Sequence, residues 1–204
     1  MSVVNNEFYQ TIDRPGTAEF TDRGSRFLAY TYPITSVTEF KDLLAALKKE
    51  HPKAVHHCFA YRIGLDGTQY RVSDDGEPSG TAGRPILGQI DSRGLTNILI
   101  VVVRYFGGTL LGVPGLINAY KSAAALALQL TPAVQKPVLV NYRLQFDHTQ
   151  THAVMQVIKH FSCPVYKQEA QLFCLIEAGI PKHRLDEVLF RLRDIRGVEL
   201  EKIA

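Results

Sequence analysis

Ile98–Val103 is an unbroken run of apolar, mostly β-branched residues, the pattern of a strand buried on both faces. Arg104, Tyr105 and Phe106 end it, and Gly107, Gly108, Gly112 and Gly115 follow within nine positions. Leu116 to Leu130 is Ala-rich and reads as a tightly packed helix, with Pro114 in its first turn. The rest of the chain is arranged around this strand, turn and helix. Upstream, Phe40, Leu43, Leu44 and Leu47 recur at helical spacing behind a Ser36-x-x-Glu39 capping box, and Pro52 stops the pattern. Val55, His57, Phe59, Tyr61 and Ile63 then alternate with His56, Cys58, Ala60 and Arg62, which predicts a strand with one apolar face. Asp66-Gly67 supplies a hairpin turn and Gln69–Val72 the returning strand. Arg26–Ile34 reads as a further strand. Residues 1–24 read as turn-rich except for a short strand over Phe8–Ile12.

Thr131–Pro137, with two prolines in seven residues, reads as a linker and places a boundary between domains at residues 1–132 and 137–204. Beyond it Val138, Val140, Tyr142, Leu144 and Phe146 alternate as a half-exposed strand. Asp147 with Gln150 opens a helix whose inner face is Val154, Val157, Ile158 and Phe161. Strands near Val165–Gln168 and Gln171–Ala178 follow. A helix from Pro181 with Leu185, Val188, Leu189 and Leu192 inward comes next, then an alternating strand over Val198–Ile203. The order βαββαβ in about 70 residues is the ferredoxin-like arrangement. The whole chain is therefore expected to be α+β.

Composition narrows the picture by exclusion. No run approaches the roughly 20 apolar residues that span a bilayer. The N-terminal stretch has no basic segment leading into an apolar one, so no signal peptide is expected. Three cysteines with no CxxC spacing fit a reducing, cytoplasmic setting with buried thiols, and structural zinc is not expected. Net charge is +3; residues 1–136 carry 14 Lys and Arg against 12 Asp and Glu, and residues 137–204 carry 9 against 8. Neither half has the basic excess of a protein that lives on phosphate contacts.

Ser73–Pro85 is a dense acidic, glycine-rich loop, expected to feed a helix over Ser79–Ile90 that Ser79 or Thr81 could cap. Together, Ser73–Leu87 (SDDGEPSGTAGRPIL) and Val101–Leu116 (VVVRYFGGTLLGVPGL) closely resemble the IMPACT family in its bacterial YigZ type. Ala54–Arg62 also looks like that family's approach to the first motif, and the resemblance covers most of residues 20–130. It implies an N-terminal domain of the ribosomal protein S5 domain 2-like fold and, more weakly, a C-terminal ferredoxin-like domain resembling domain five of elongation factor G. It also implies a tie to translation: eukaryotic members act in control of translation under starvation by protein–protein competition, and bacterial members have been suggested to bind nucleic acid. Pro114 stands where family members often carry glycine, and Leu110 where many carry lysine.

Two chemical readings of the motif loops stay open. The glycine turn, with Gly107, Gly108 and Gly112, precedes a helix whose first N–H groups are free for an anion, with Arg104 as charge partner. The same glycines equally suit positive φ and close strand–helix packing. Gly107–Gly112 fits GxxxxG, but Val113 replaces the P-loop lysine. In the acidic loop Asp74, Asp75 and Glu77 precede a helix start, an arrangement that could hold Mg²⁺ beside a phosphate, as in small-molecule kinases of the same fold. They equally suit Asx turns and a helix N-terminus. The binding candidates are thus Asp74, Asp75, Glu77, Ser79, Thr81, Arg84, Arg104, Gly107, Gly108 and Gly112, with no catalytic residue and no metal ligand assigned. His56 shares a strand face with Cys58, but His57 reads as a packed core histidine. His148 and His152 lie one helical turn apart without a third ligand. Tyr142 and Phe173 read as core rather than as stacking faces for RNA.

The expectation is a non-catalytic regulator or accessory factor of translation that binds RNA, a ribosomal component or a protein partner, without a cofactor. Its alternative is a Mg²⁺-dependent phosphotransfer or phosphate-ester enzyme using the Asp74–Gly83 and Gly107–Gly112 loops.

Overall fold

The computed structural model of the protein describes residues 7–203; the start of the chain, residues 1–6, and Ala204 lie outside them. It is an α+β protein that divides into two compact units, residues 9–136 and residues 137–203 with Glu7 and Phe8.

The larger unit is built on a five-stranded antiparallel sheet. Its strands are β2 (Gly16–Asp22), β3 (Ser25–Pro33), β4 (His56–Ile63), β5 (Gln69–Ser73) and β6 (Ile98–Tyr105), in the order β2-β3-β6-β4-β5. β6 occupies the centre, as its uninterrupted apolar run requires. Its odd-numbered side chains, Leu99, Val101 and Val103, meet Phe40 and Leu47 of α1 (Val37–Glu50). Its even-numbered ones, Ile98, Ile100 and Val102, meet α2 (Gly83–Ser92) and α3 (Gly112–Leu130) on the opposite face. Each such side chain, fully removed from water, contributes about 1.5–3 kcal/mol. β4 is covered on both faces as well: Cys58 and Ala60 join the α2–α3 side, so its polar-looking face is not a solvent face. Ser36 accepts from Glu39 N–H and caps α1, and Glu39 reaches back to the N–H and hydroxyl of Thr35.

Two strands escape the hydrophobic pattern. β2 was expected to be turn, but its alternation of half-buried and exposed positions is set by pairing along the whole of β3 rather than by apolar content. The two-proline stretch is not a free linker: Ala133–Pro137 forms β7, which pairs with β1 (Phe8–Ile12) as a small ribbon.

The smaller unit has the order β8 (Leu139–Phe146), α4 (Thr151–His160), β9 (Val165–Ala170), β10 (Cys174–Pro181), α5 (Leu185–Arg193) and β11 (Glu199–Lys202). Its sheet runs β11-β8-β10-β9, all antiparallel, the ferredoxin-like arrangement. Leu144, Phe146, Ile176, Ala178 and Ile180 pack under Val154, Ile158, Val188, Leu189 and Leu192 of the two helices. Pro181 ends β10 rather than opening the last helix, because the β8–β10 ladder continues to Leu139 opposite Pro181, and a single tight turn intervenes before Leu185. Tyr142 packs against this core, whereas Phe173 lies in the β9–β10 turn and is half exposed. On the helix-free face one row crosses all four strands as Glu201, Arg143, Glu177 and Lys167. Arg143 bonds both of its glutamate neighbours, at 2.9 Å and 3.1 Å.

Candidate functional site

The sheet topology brings the two motif loops to one edge. β5 and β6 both run antiparallel to β4 and so end on the same side; the loops that leave them, residues 74–82 and 106–111, emerge together. The β2–β3 hairpin ends at this edge too, since β3 runs against β6. Gly107 seats the contact: a Cβ there would lie 1.9 Å from the Gly24 carbonyl carbon, and the Gly107 N–H donates to Ser25 Oγ at 3.1 Å. Only glycine allows that approach.

Asp74 organises the acidic loop. Its Oδ1 accepts from Ala82 and Gly83 N–H at 3.0 Å and 2.9 Å, and its Oδ2 from Gly80 N–H at 2.8 Å. Partial burial works against the charge, but these three donors with Arg84 nearby hold the carboxyl below the usual carboxylate range. The cap of α2 is therefore Asp74, from outside the helix. Ser79 and Thr81 do not cap it: Ser79 is exposed, and the buried Thr81 hydroxyl donates to the Pro78 carbonyl at 2.7 Å. The helix begins at Gly83, four residues later than the pattern predicts. Asp74–Glu77 is a tight turn closed by Glu77 N–H on the Asp74 carbonyl, with Asp75 and Gly76 both at positive φ, 44° and 92°. Asp75 Oδ2 accepts from the His57 N–H at 2.6 Å, and Lys48 Nζ lies 3.5 Å from Oδ1.

Beneath the loops lies a buried polar network. Glu77, 9% exposed, accepts on Oε1 from Arg104 Nη1 at 2.6 Å and from the Tyr120 hydroxyl at 2.8 Å. His56 Nδ1 is bonded to the Asp75 carbonyl, and its Nε2 lies 3.7 Å from the same Glu77 oxygen. Cys58 Sγ is 3.0 Å from the Asp74 carbonyl oxygen and 3.3 Å from the Tyr120 hydroxyl. Burial pushes the Cys58 thiol and the Tyr120 phenol well above their ordinary values, so neither is a nucleophile or a base here. Arg104 is correspondingly not an open charge partner for an anion: its guanidinium faces Glu77 and lies over the rings of Phe27 and Phe106. Gly108 and Gly112, at positive φ, shape the turn into α3. Arg84 is exposed, and among the described residues it forms no close ion pair, its charge acting on the nearby Asp74 carboxylate. Tyr120 is the member that the sequence pattern hid, its only signal being a hydroxyl-bearing aromatic among the alanines of α3.

Several large apolar side chains are exposed at this edge. Leu110 is 82% exposed, Val113 52%, Phe106 48% and Ile117 38%. Val113 and Ile117 lie one turn apart on α3, Leu110 lies in the loop just before it, and Val55, half exposed, donates its N–H to the Arg104 carbonyl.

One pH effect follows from the core side of β4. Burial depresses the His57 imidazole below its usual 6.5, with Lys48 and His51 adding to the effect and Asp75 opposing it. The folded state thus binds its proton later than the unfolded state does. Stability is full above that usual value and falls as pH drops through and below it. Urea midpoints measured across this range should decline in the native protein, and His57→Gln should flatten that decline.

A family model described as the Impact N-terminal domain matches residues 23–128, the segment that carries both loops and the strands between them. The chain belongs to the IMPACT family. The IMPACT family member YigZ of Escherichia coli (strain K12) is 34% identical over 182 residues, spanning 88% of this chain and 89% of that protein. An IMPACT family member of Thermus thermophilus, from the pol 5' region, is 40% identical over 156 residues, 74% of this chain and 83% of that one. A crystal structure of a hypothetical protein superposes with a TM-score of 0.78 at 32% identity, covering 97% of this chain and 98% of that one. The match to this structure thus runs through both units. Among the described residues no helix is long and apolar enough to cross a membrane.

Proposed function

We propose that this IMPACT family member is a non-catalytic regulator or accessory factor of translation that docks on a protein surface of its partner through the motif edge. The observation that carries this reading is the division of labour at that edge. Asp74 is consumed by the backbone of its own loop and the start of α2, and Glu77 and Arg104 by each other, while Phe106, Leu110 and Val113 face solvent. An exposed, rimmed apolar patch is the mark of a protein interface. Membership in the family supports the link to translation, through the role that the resemblance of its eukaryotic members implies. Phosphotransfer finds less support. Asp74 gives both oxygens to backbone donors, Glu77 is closed off by Arg104 and Tyr120, and neither loop presents a lysine to a phosphate. RNA on the open ferredoxin-like sheet is also disfavoured, since Glu177 and Glu201 neutralise Arg143 and Glu169 and Glu199 flank them.

Co-sedimentation with purified ribosomes tests the proposal. Binding should survive a rise from about 50 to 200 mM salt, across which a protein resting on 6–10 phosphate contacts loses about 10³–10⁵ in affinity. Leu110→Glu and Val113→Glu, both on exposed side chains, should abolish binding and leave the unfolding midpoint unchanged. Unaltered binding in these folded variants, or no ribosome binding by the native protein, would refute the proposal.

A further inference from the structure

The smaller unit holds a cluster that the motif loops do not involve. Cys174, the first residue of β10, has its Sγ 3.2 Å from His148 Nδ1 and 3.5 Å from the Thr151 hydroxyl. The other ring nitrogen of His148, Nε2, lies 2.8 Å from the Gln171 carbonyl oxygen. A carbonyl only accepts, so Nε2 carries a hydrogen. In the neutral ring Nδ1 then bears the lone pair, and it is the atom that faces the thiol. Nucleophile, base and orienting group stand in series, the arrangement that activates a side-chain nucleophile.

The surroundings add a helix terminus and a hydroxyl beside the sulfur. Thr151 opens α4, so the sulfur sits at the positive end of a ten-residue helix, with a hydroxyl in reach to donate to it. Asp147 precedes His148, and the two interact electrostatically. The other two thiols lack such help. Cys58 is enclosed between the Asp74 carbonyl and Tyr120. Cys163 is pushed up to about 11 by burial, with Arg184 opposing weakly. Cys174 is 6% exposed and packs at the margin of the core, and the His148 ring beside it is exposed.

We propose that Cys174 is a nucleophilic thiol, paired with His148, whose reagent class is small hydroperoxides. The Cys174 thiolate attacks one peroxide oxygen; an S–O bond forms and the O–O bond breaks. The departing hydroxide, or alkoxide from an organic hydroperoxide, takes the proton of the His148 imidazolium and leaves as water or alcohol. Sulfur is oxidised by two electrons to the sulfenic acid and the peroxide is reduced.

The test uses the full chain, treated at neutral pH with limiting hydrogen peroxide plus a sulfenic-acid trap, and separately with iodoacetamide. Peptide mass spectrometry follows all three cysteines. Cys174 should react about tenfold or more faster than Cys58 and Cys163. The ultraviolet absorbance of a thiolate should be present in the native protein and lost in both Cys174→Ser and His148→Asn. Cys174 reacting no faster than Cys163 overturns the proposal, as does thiolate absorbance unchanged in His148→Asn. If His148→Asn speeds labelling by opening the site, that absorbance still decides: its loss supports the pair and its persistence refutes it.

Discussion

Replacing Glu77 with alanine is expected to lower the unfolding free energy by about 3–5 kcal/mol, the cost of leaving one member of a buried ion pair without its partner. Arg104 would keep its charge in a site 5% exposed, and Tyr120 would lose the only acceptor of its hydroxyl hydrogen that the network offers. Water cannot easily take the place of the carboxylate, because the guanidinium is buried and lies over the rings of Phe27 and Phe106. Urea denaturation of the variant measures the loss directly. A second protein separates charge from shape: with Glu77→Met and Arg104→Met together, no buried charge is stranded, and most of the lost stability should return. A loss below about 1 kcal/mol in Glu77→Ala would mean that solvent reaches the guanidinium.

Asp74→Ala ranks second, at about 2–3 kcal/mol, since three backbone N–H groups lose a charged acceptor and only some of them gain water. Asp74→Asn keeps one oxygen and should cost less. The two variants also differ from the native protein in acid. The folded carboxyl is held below its ordinary 3.8, so its contribution is present above that value and is lost as pH falls through the folded one. Comparing urea midpoints at neutral and strongly acid pH should show that the native protein loses stability which Asp74→Asn no longer has to lose.

Where apolar spacing decides the structure, the sequence was sufficient. β6, α1 and α3 follow from Ile98–Val103, from Phe40 to Leu47 and from the alanine run, and the ferredoxin-like order follows from two clean periods. β2 and β7 were not legible, because hydrogen bonds to partners distant in sequence, rather than a hydrophobic period, make them strands. The motif residues were legible as a group, but their roles were not. Nothing local distinguishes an Asp74 that caps a helix nine residues ahead from one that awaits a cation. The direction of Arg104 depends on Glu77 and Tyr120, 27 and 16 positions away. The His148–Cys174 pair depends on a strand and a turn 26 residues apart, a separation with no pattern of its own.

The Glu77 carboxylate ties the 74–82 loop to β6 through Arg104 and to α3 through Tyr120, and this makes the edge a single mechanical body. The 74–82 segment cannot lift without abandoning Arg104, and the 106–111 segment cannot swing without dragging on the Gly24–Gly107 contact and on the strand that bears Arg104. Protection against hydrogen exchange should therefore rise and fall in concert at Gly80, Ala82 and Gly107, whose amides all donate to side chains within this body. A partner that grips only Leu110 would then slow exchange at Gly80, a group it never touches.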